Sequence, residues 1–408
     1  MELTFDGAVL RGGTDARERF YDSRGYGQPR DGALELAPVE AAHLLFRGDL
    51  DAVLDRRPDR ERNAETDSRA GDRLDFHEFL ASNAVSEVSF FVYKELRDRG
   101  FYLSPAHLAP STGTVRGQTG RGQPSSDRAD DREFVVYPRG HGPWDDDIAY
   151  RVRAVSEREG VSAHSLTELA QTGDKSGTGV LAVVDEESEV TYLELGEPPI
   201  DGSTDHDLPS FEGLFLSDRV LVTEPPSGLY HRAFYGQQLD RDERPIQLSL
   251  VEAAYLTDCG LLTIESDETG HGNSDGAGHG NSDGTSTPSA TGEHDDGTGY
   301  RAVLERGRQV EGERFDRRLR VYRTLRRADI VPKTGFKFGA DFRTYADVAS
   351  VDDLGHSELL VRVLPGTHTF APRDLALDVR LAHGVRKQMV FALVNDDIDW
   401  LSVERVTP

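Results

Sequence analysis

Cysteine is all but missing from this 408-residue chain, methionine and tryptophan occur twice each, and lysine is scarce: Lys94, Lys175, Lys333, Lys337 and Lys387 are the only five. A single cysteine, Cys259, excludes an intramolecular disulfide and fits a reducing compartment. Its neighbours Leu256, Leu261 and Leu262 predict a buried, inert thiol. No apolar run approaches the ~18 residues of a membrane span, and the opening MELTFDGAVL has neither the basic region nor the apolar stretch of a secretory signal. The expectation is a soluble, cytoplasmic protein with no membrane partner. Positive charge is also in deficit, with 73 acidic against 47 basic residues and a formal charge of −26. An acid-rich, lysine-poor surface suits a cytosol of very high salt, where a Debye length of ~3 Å at 1 M screens self-repulsion, so the chain reads as halophilic. Apolar residues make up 37% and cluster into periodic segments, so most of the chain should fold, into two or more domains.

What is present is said twice. YGQPRDGALELAPVEAAHLL (26–45) returns as YGQQLDRDERPIQLSLVEAAYL (235–256), in each case a strand-like run followed by a short helix. FFVYKELRDRGF (90–101) returns as LRVYRTLRRADI (319–330), helices with apolar residues at i, i+3 or i+4. VLAVVDEESEVTYLEL (180–195) returns as VFALVNDDIDWLSV (390–403), two strands flanking an acidic turn. Three echoes in the same order make a tandem duplication. Offsets of 212 (Val39 to Val251), 229 (Tyr93 to Tyr322) and 210 (Ala182 to Ala392) locate insertions between them. GHGNSDGA and GHGNSDGT, side by side within 270–299, mark a low-complexity insert whose histidines have no scaffold for a metal. Polar stretches at 55–73 and 111–131 are further inserts. The expected fold class is α+β, each repeat a small N-terminal α/β module plus a nuclease-like mixed α/β module. The division is 1–88 and 89–200 for the first repeat, then 210–265, an insert at 266–300, and a catalytic module at 301–408.

The copies differ in chemistry. Aligning ELLV (358–361) with EFVV (133–136) sets Asp131 opposite His356 and leaves nothing opposite Tyr345; aligning YRVRAVSEREG (150–160) with the DVRLAHGVRKQ segment puts Gly160 near Lys387. Tyr345, His356 and Lys387 thus belong to one copy only. Such a set suits metal-free phosphodiester transesterification: a base on an RNA 2′-hydroxyl, an acid for the departing 5′-oxygen, a cation for the phosphorane-like charge. Histidine as a residue type donates protons near neutrality, and tyrosine serves as a base only beside a cation. Spacing alone leaves open that Tyr345 and Lys387 are surface residues and His356 a cap ahead of a strand. A metal-dependent nuclease would need converging carboxylates, and the adjacent pair Asp352 and Asp353 is the sole candidate near His356.

The stretch YRTLRRADIVPKTGFKFGADFRTY, with GHSELLVRVLP and DVRLAHGVRKQMVFALV after it, closely resembles the catalytic domain of the archaeal tRNA-splicing endonucleases. The resemblance puts Tyr345, His356 and Lys387 on that family's triad, as general base, general acid and transition-state stabiliser. It implies precursor tRNA with a bulge-helix-bulge as substrate and, as products, a 2′,3′-cyclic phosphate and a 5′-hydroxyl. It implies a homodimer in which an acidic loop, here Asp185, Glu186, Glu187 and Glu189, docks on a catalytic unit of the other chain, and in which strands around Trp400 pair units. It further implies that Arg380, and with it Arg405, clamps a bulge base, and no cofactor or metal is implied; Arg343 reads as a support for phosphate contacts. The basic, aromatic TGFKFGADFRTY (334–345) then reads as an RNA-contacting loop, and the arginine-rich helix 314–327, with its apolar stripe Phe315, Leu319 and Tyr322, as a further backbone contact. The alternative is a non-catalytic RNA-binding or scaffold subunit.

Overall fold

The computed structural model describes residues 1–57, 72–108, 132–145, 147–171, 177–204, 207–240, 244–265 and 298–408. Most of the three polar inserts, including the GHGNSDG repeats and Asp131, lies outside the described residues. The chain forms two compact units, one of residues 1–198, 366–395 and 399–408, the other of 199–365 and 396–398. The last helix and most of the last hairpin of the second repeat therefore belong to the unit built on the first repeat.

The duplication is visible as topology. The N-terminal module of the first repeat is a sheet with spatial order Gln28–Arg30, Ala33–Leu36, Leu10–Gly12, Glu2–Phe5, Ala52–Asp55 and Asp72–Leu74. That of the second runs Gln237–Gln238, Ile246–Ser249, Arg219–Val222, Phe211–Phe215 and Leu262–Glu265. In both, the first strand in sequence pairs parallel with the strand after the helix, Glu2 opposite Ala52 and Phe211 opposite Leu262. The crossover helices Pro38–Phe46 and Leu250–Asp258 begin alike: Glu40 accepts the N–H of Ala37 at 2.9 Å, and Glu252 that of Ser249 at 2.9 Å, each carboxylate reaching back over its own N-terminus. Each carboxylate also accepts a glycine N–H, Gly27 at 2.7 Å and Gly236 at 2.9 Å. Both glycines hold positive φ, +68° and +63°, and a Cβ on either would meet a strand carbonyl, at 2.3 Å from Glu35 O and 2.6 Å from Gln247 O.

The nuclease-like module of the first repeat has the spatial order Leu103–Pro105, Glu133–Val136, Tyr150–Ser156, Thr178–Val184 and Val190–Gly196, and continues through Ile398–Val406 to Gln388–Val394. The two closing hairpins are thus joined edge to edge inside one chain, Tyr192 opposite Val406 through to Gly196 opposite Ser402. In the other unit Val331–Thr334, Phe342–Tyr345 and Leu359–Pro365 pair antiparallel in turn. Helix Glu87–Asp98 buries Phe90, Tyr93 and Leu96, and helix Glu313–Arg327 buries Phe315, Leu319 and Tyr322, the stripe that periodicity predicts.

Two expectations fail here. Cys259 is exposed: it caps the C-terminus of the helix Leu250–Asp258, and the turn through Gly260 (φ +71°) carries it outward while Leu256 and Leu262 point inward. Sheet order also replaces both pairings drawn between the copies. Strand 133–136 occupies the place of 342–345, and strand 150–156 that of 359–365. Helix Ala163–Ala170, rather than strand 150–156, answers helix Pro372–Gly384. Alternating apolar runs look alike in a strand and on a half-buried helix, so a short alignment across them has no physical register.

Candidate active site

Tyr345 ends the strand Phe342–Tyr345, opposite Val331. It is 5% exposed, its ring 5.7 Å from that of Phe234 and packed with Val331 and Val348. The guanidinium of Arg343 lies 5.6 Å from the centre of the same ring. His356 sits in the exposed segment between the turn Val351–Asp353 and the strand Leu359–Pro365. Two residues further on, Glu358 donates its N–H to Thr344 O at 3.1 Å, which ties this segment to the strand that carries Tyr345. Asp352 lies 3.6 Å from the His231 ring, and among the described residues no three His, Cys, Asp or Glu side chains are grouped to hold a metal ion.

The preceding turn separates its aromatic and basic residues. Gly339 (φ +70°) closes the single turn Phe336–Phe338, leaving Phe336 86% exposed and Lys337 exposed beside it, while Phe342 is buried. Lys333 takes no part in that surface. Its Nζ donates to Phe234 O, to Gly236 O at 2.7 Å and to Glu252 at 3.2 Å, and it is 9% exposed. Burial works against the Glu252 carboxylate, yet the Lys333 ammonium and three N–H and O–H donors hold it below its usual range. Most arginines of the helix Glu313–Arg327 are likewise held internally: Arg314 by Asp341 at 2.6 Å, Arg318 by Glu311 and Asp341, Arg323 by Asp258. Arg326 is stacked 3.8 Å over the Tyr235 ring. This helix packs the second repeat together, and the expected RNA-backbone face is largely spent on that.

Lys387, Arg380 and Arg405 lie in the unit built on the first repeat. Helix Pro372–Gly384 ends in a left-handed turn at Arg386 (φ +57°), and the Lys387 N–H closes back on Ala382 O at 3.0 Å. The half-buried Lys387 then starts the strand Gln388–Val394. It lines a groove of about 650 Å³ together with His383, Arg386, Glu404 and Arg405. Arg405 reaches that groove from the strand Ile398–Val406, where it pairs opposite Leu193. The structure thus brings Lys387 and Arg405 together; Arg380 is exposed on the helix, next to the groove-lining Val379. His383 and Arg386 were missed by sequence reasoning, although both sit in the same HGVRK run as Lys387. A concave site carrying several cations is chemically fitted to a phosphate.

The acidic turn has an internal division of labour. Ser188 adopts φ +65°, and Asp185 spends its carboxylate on the N–H groups of Glu187 and Glu189, both at 2.9 Å. Asp185 therefore builds the turn. Glu186 pairs with Arg158, while Glu187 and Glu189 are exposed.

Sheet register corrects one reading about the copies. Ser104 pairs with Val135 where Lys333 pairs with Arg343, and Tyr137 donates its N–H to Tyr102 O where Tyr345 lies opposite Val331. Tyr137 is thus the first copy's counterpart of Tyr345. It is 2% exposed, its hydroxyl 3.3 Å from Ser104 Oγ, and burial pushes its pKa up. What the first copy lacks is the other pair: three residues ahead of the matching strand it has Asp147 in place of His356, and one residue ahead of Thr178 it has Gly177 in place of Lys387.

Comparison with known proteins agrees with this layout. Residues 315–400 match the model of the tRNA intron endonuclease catalytic C-terminal domain, and residues 1–61 and 211–274 both match the N-terminal domain of the same enzymes. A Haloarcula marismortui protein named tRNA-splicing endonuclease is 53% identical over all of both chains. A Natronomonas pharaonis protein of the same name is 49% identical, also over all of both chains. A Methanosarcina mazei protein of that name is 32% identical over all of this chain and 99% of its own.

Proposed function

The chain belongs to the tRNA intron endonuclease family, a tRNA-splicing endonuclease of haloarchaeal type, and from that premise we propose that it cuts precursor tRNA at bulge-helix-bulge motifs by metal-independent attack of a 2′-hydroxyl. Tyr345 takes the proton of the 2′-hydroxyl, the oxygen attacks the adjacent phosphorus, and His356 gives a proton to the departing 5′-oxygen. Lys387 stabilises the charge that builds on the non-bridging oxygens. The products are a 2′,3′-cyclic phosphate and a 5′-hydroxyl. The observation that carries the reading is the match of the catalytic-domain model across 315–400, a span that contains all three residues.

Arg380 and Arg405 clamp a bulge base between guanidinium planes, and Arg343 supports contacts to the phosphates. The groove shared by Lys387 and Arg405 supports a phosphate beside that clamp. The enzyme works in the cytoplasm as a homodimer, each chain docking the turn at 185–189 on its partner's catalytic module, and the five-part division at 88, 200, 210–265 and 301 belongs to this proposal. Cleavage of a bulge-helix-bulge RNA in excess EDTA is the test. His356→Ala and Lys387→Ala should each lose on the order of 100-fold in rate, the scale of one general acid or one charge-stabilising group, and product termini should carry the cyclic phosphate. Full cleavage by both variants would sink the assignment.

A further inference from the structure

Both repeats stack an arginine on a tyrosine at the junction of their two modules, and in the first a cleft opens around the stack. Arg97 lies 3.8 Å over the Tyr26 ring and donates to Arg24 O at 2.9 Å; Arg326 lies 3.8 Å over Tyr235 and donates to Ala233 O at 2.9 Å. The stack is therefore a shared structural device, and its surroundings are what differ. In the first repeat His43 is 1% exposed and its Nδ1 lies 2.9 Å from the Tyr26 hydroxyl, while its Nε2 has no hydrogen-bond partner among the described residues. Arg97 Nη1 and the hydroxyl of Tyr93, whose ring is 5.5 Å from His43, are orphaned in the same way. In the second repeat Tyr322, which answers Tyr93, instead has its hydroxyl 3.1 Å from Arg326 Nε, and there Arg326 Nη2 is the atom without a partner among the described residues.

The cleft, of about 240 Å³, is lined by Arg24, Tyr26, His43, Arg47, Arg97 and Tyr102. Arg24 and Arg47 stand at its mouth and share one carboxylate, Asp49, at 2.7 and 3.1 Å. Glu40, fully buried, is engaged by the N–H groups of Gly27 and Ala37, and burial pushes its pKa up to about 7, so it is an incomplete counter-charge for Arg97. Ala233, Tyr255 and Cys259 stand in the second repeat where Arg24, His43 and Arg47 stand in the first. Two arginines, with the aspartate they share, thus stand around the stack in one copy only, in a chain whose net charge is −26; burial and the Arg97 charge push the His43 pKa down to about 4, so its ring is a neutral hydrogen-bonding group there. Of the unpartnered atoms, Arg97 Nη1 and His43 Nε2 belong to residues that line this concave site, and planar guanidinium groups match the oxygens of phosphate.

We propose that this cleft of the first repeat binds a phosphate group, either free inorganic phosphate or the phosphate of a nucleotide or RNA strand. The site is independent of the cleavage chemistry proposed above. Calorimetric titration of the full-length protein in concentrated KCl, at fixed ionic strength, with inorganic phosphate, AMP and a short single-stranded RNA tests it. Wild type should bind saturably. His43→Tyr and Arg47→Cys install the second repeat's own residues, and their folding is checked by circular dichroism; Arg47→Cys should weaken binding by about tenfold or more, the scale of one lost charge-assisted hydrogen bond, and His43→Tyr severalfold, the scale of a neutral one, with cleavage unchanged. AMP and RNA binding more tightly than phosphate identifies a nucleic-acid source; equal binding of AMP and phosphate, without RNA, identifies the free anion; either supports the site. No saturable binding by wild type, or undiminished binding by both folded variants, overturns it and leaves the orphaned donors to water.

Discussion

Glu40 and Glu252 begin equivalent helices, yet they hold opposite electrostatic positions. Glu252 has Lys333 at 3.2 Å and stays below the usual carboxyl range; Glu40 has Ser104 where the lysine would be and is pushed up to about 7. A depressed carboxyl contributes stability above its unfolded pKa and loses it as pH falls; a raised one is costly as pH rises past the unfolded value. Lys333→Ser should therefore destabilise by ~3–5 kcal/mol near pH 8, where Glu252 is left as an unpaired buried charge. The loss should shrink as pH falls toward the ordinary carboxyl pKa and Glu252 takes up a proton, as Glu40 does. Chemical denaturation at both pH values reads the difference, and a pH-independent loss would refute the account. Lysine scarcity gave no hint of this, because burial depends on which strand faces which module.

Among elements, the acidic turn Asp185–Glu189 separates construction from contact. Asp185 is used up by its own backbone, leaving Glu187 and Glu189 exposed, where the proposed docking would use them. Glu187→Lys with Glu189→Lys should convert the proposed homodimer to monomer, measured by light scattering in high salt, with the secondary structure intact because neither side chain holds the turn. A dimer that persists would remove this turn from the interface. The same scale shows where sequence reading failed. Helix 313–327 carries its arginines at every angle, and only the fold showed that Asp341, Glu311 and Asp258 absorb several of them. The copies were likewise misaligned over short apolar runs. Strand register corrected this, making Tyr137 the counterpart of Tyr345 and His356 and Lys387 the residues that set the second copy apart.

For the whole molecule, charge sets the working conditions. A surface carrying −26 repels itself when the screening length is long; that length falls from ~10 Å at 0.1 M salt to ~3 Å at 1 M. Thermal unfolding followed by circular dichroism should show a midpoint that rises steadily with KCl up to molar concentrations and drops steeply on dialysis to low salt. A midpoint indifferent to salt would contradict the halophilic reading. Among the described residues no helix is long and apolar enough to cross a membrane.

Composition, the three echoes and the TGFKFGADFRTY-to-VRKQ run by themselves determined that the chain is duplicated, acid-adapted and akin to the splicing endonucleases, because repeats and motifs are local in sequence. They also named Tyr345, His356 and Lys387. Tertiary structure alone decided which charges are free. It sank Lys333 onto Glu252, turned Cys259 outward, set Lys387 and Arg405 on one groove, and joined the closing hairpins of the two repeats along a common strand edge. Each of those depends on contacts between residues far apart in the chain, and composition and spacing carry no term for the burial and partners that such contacts impose.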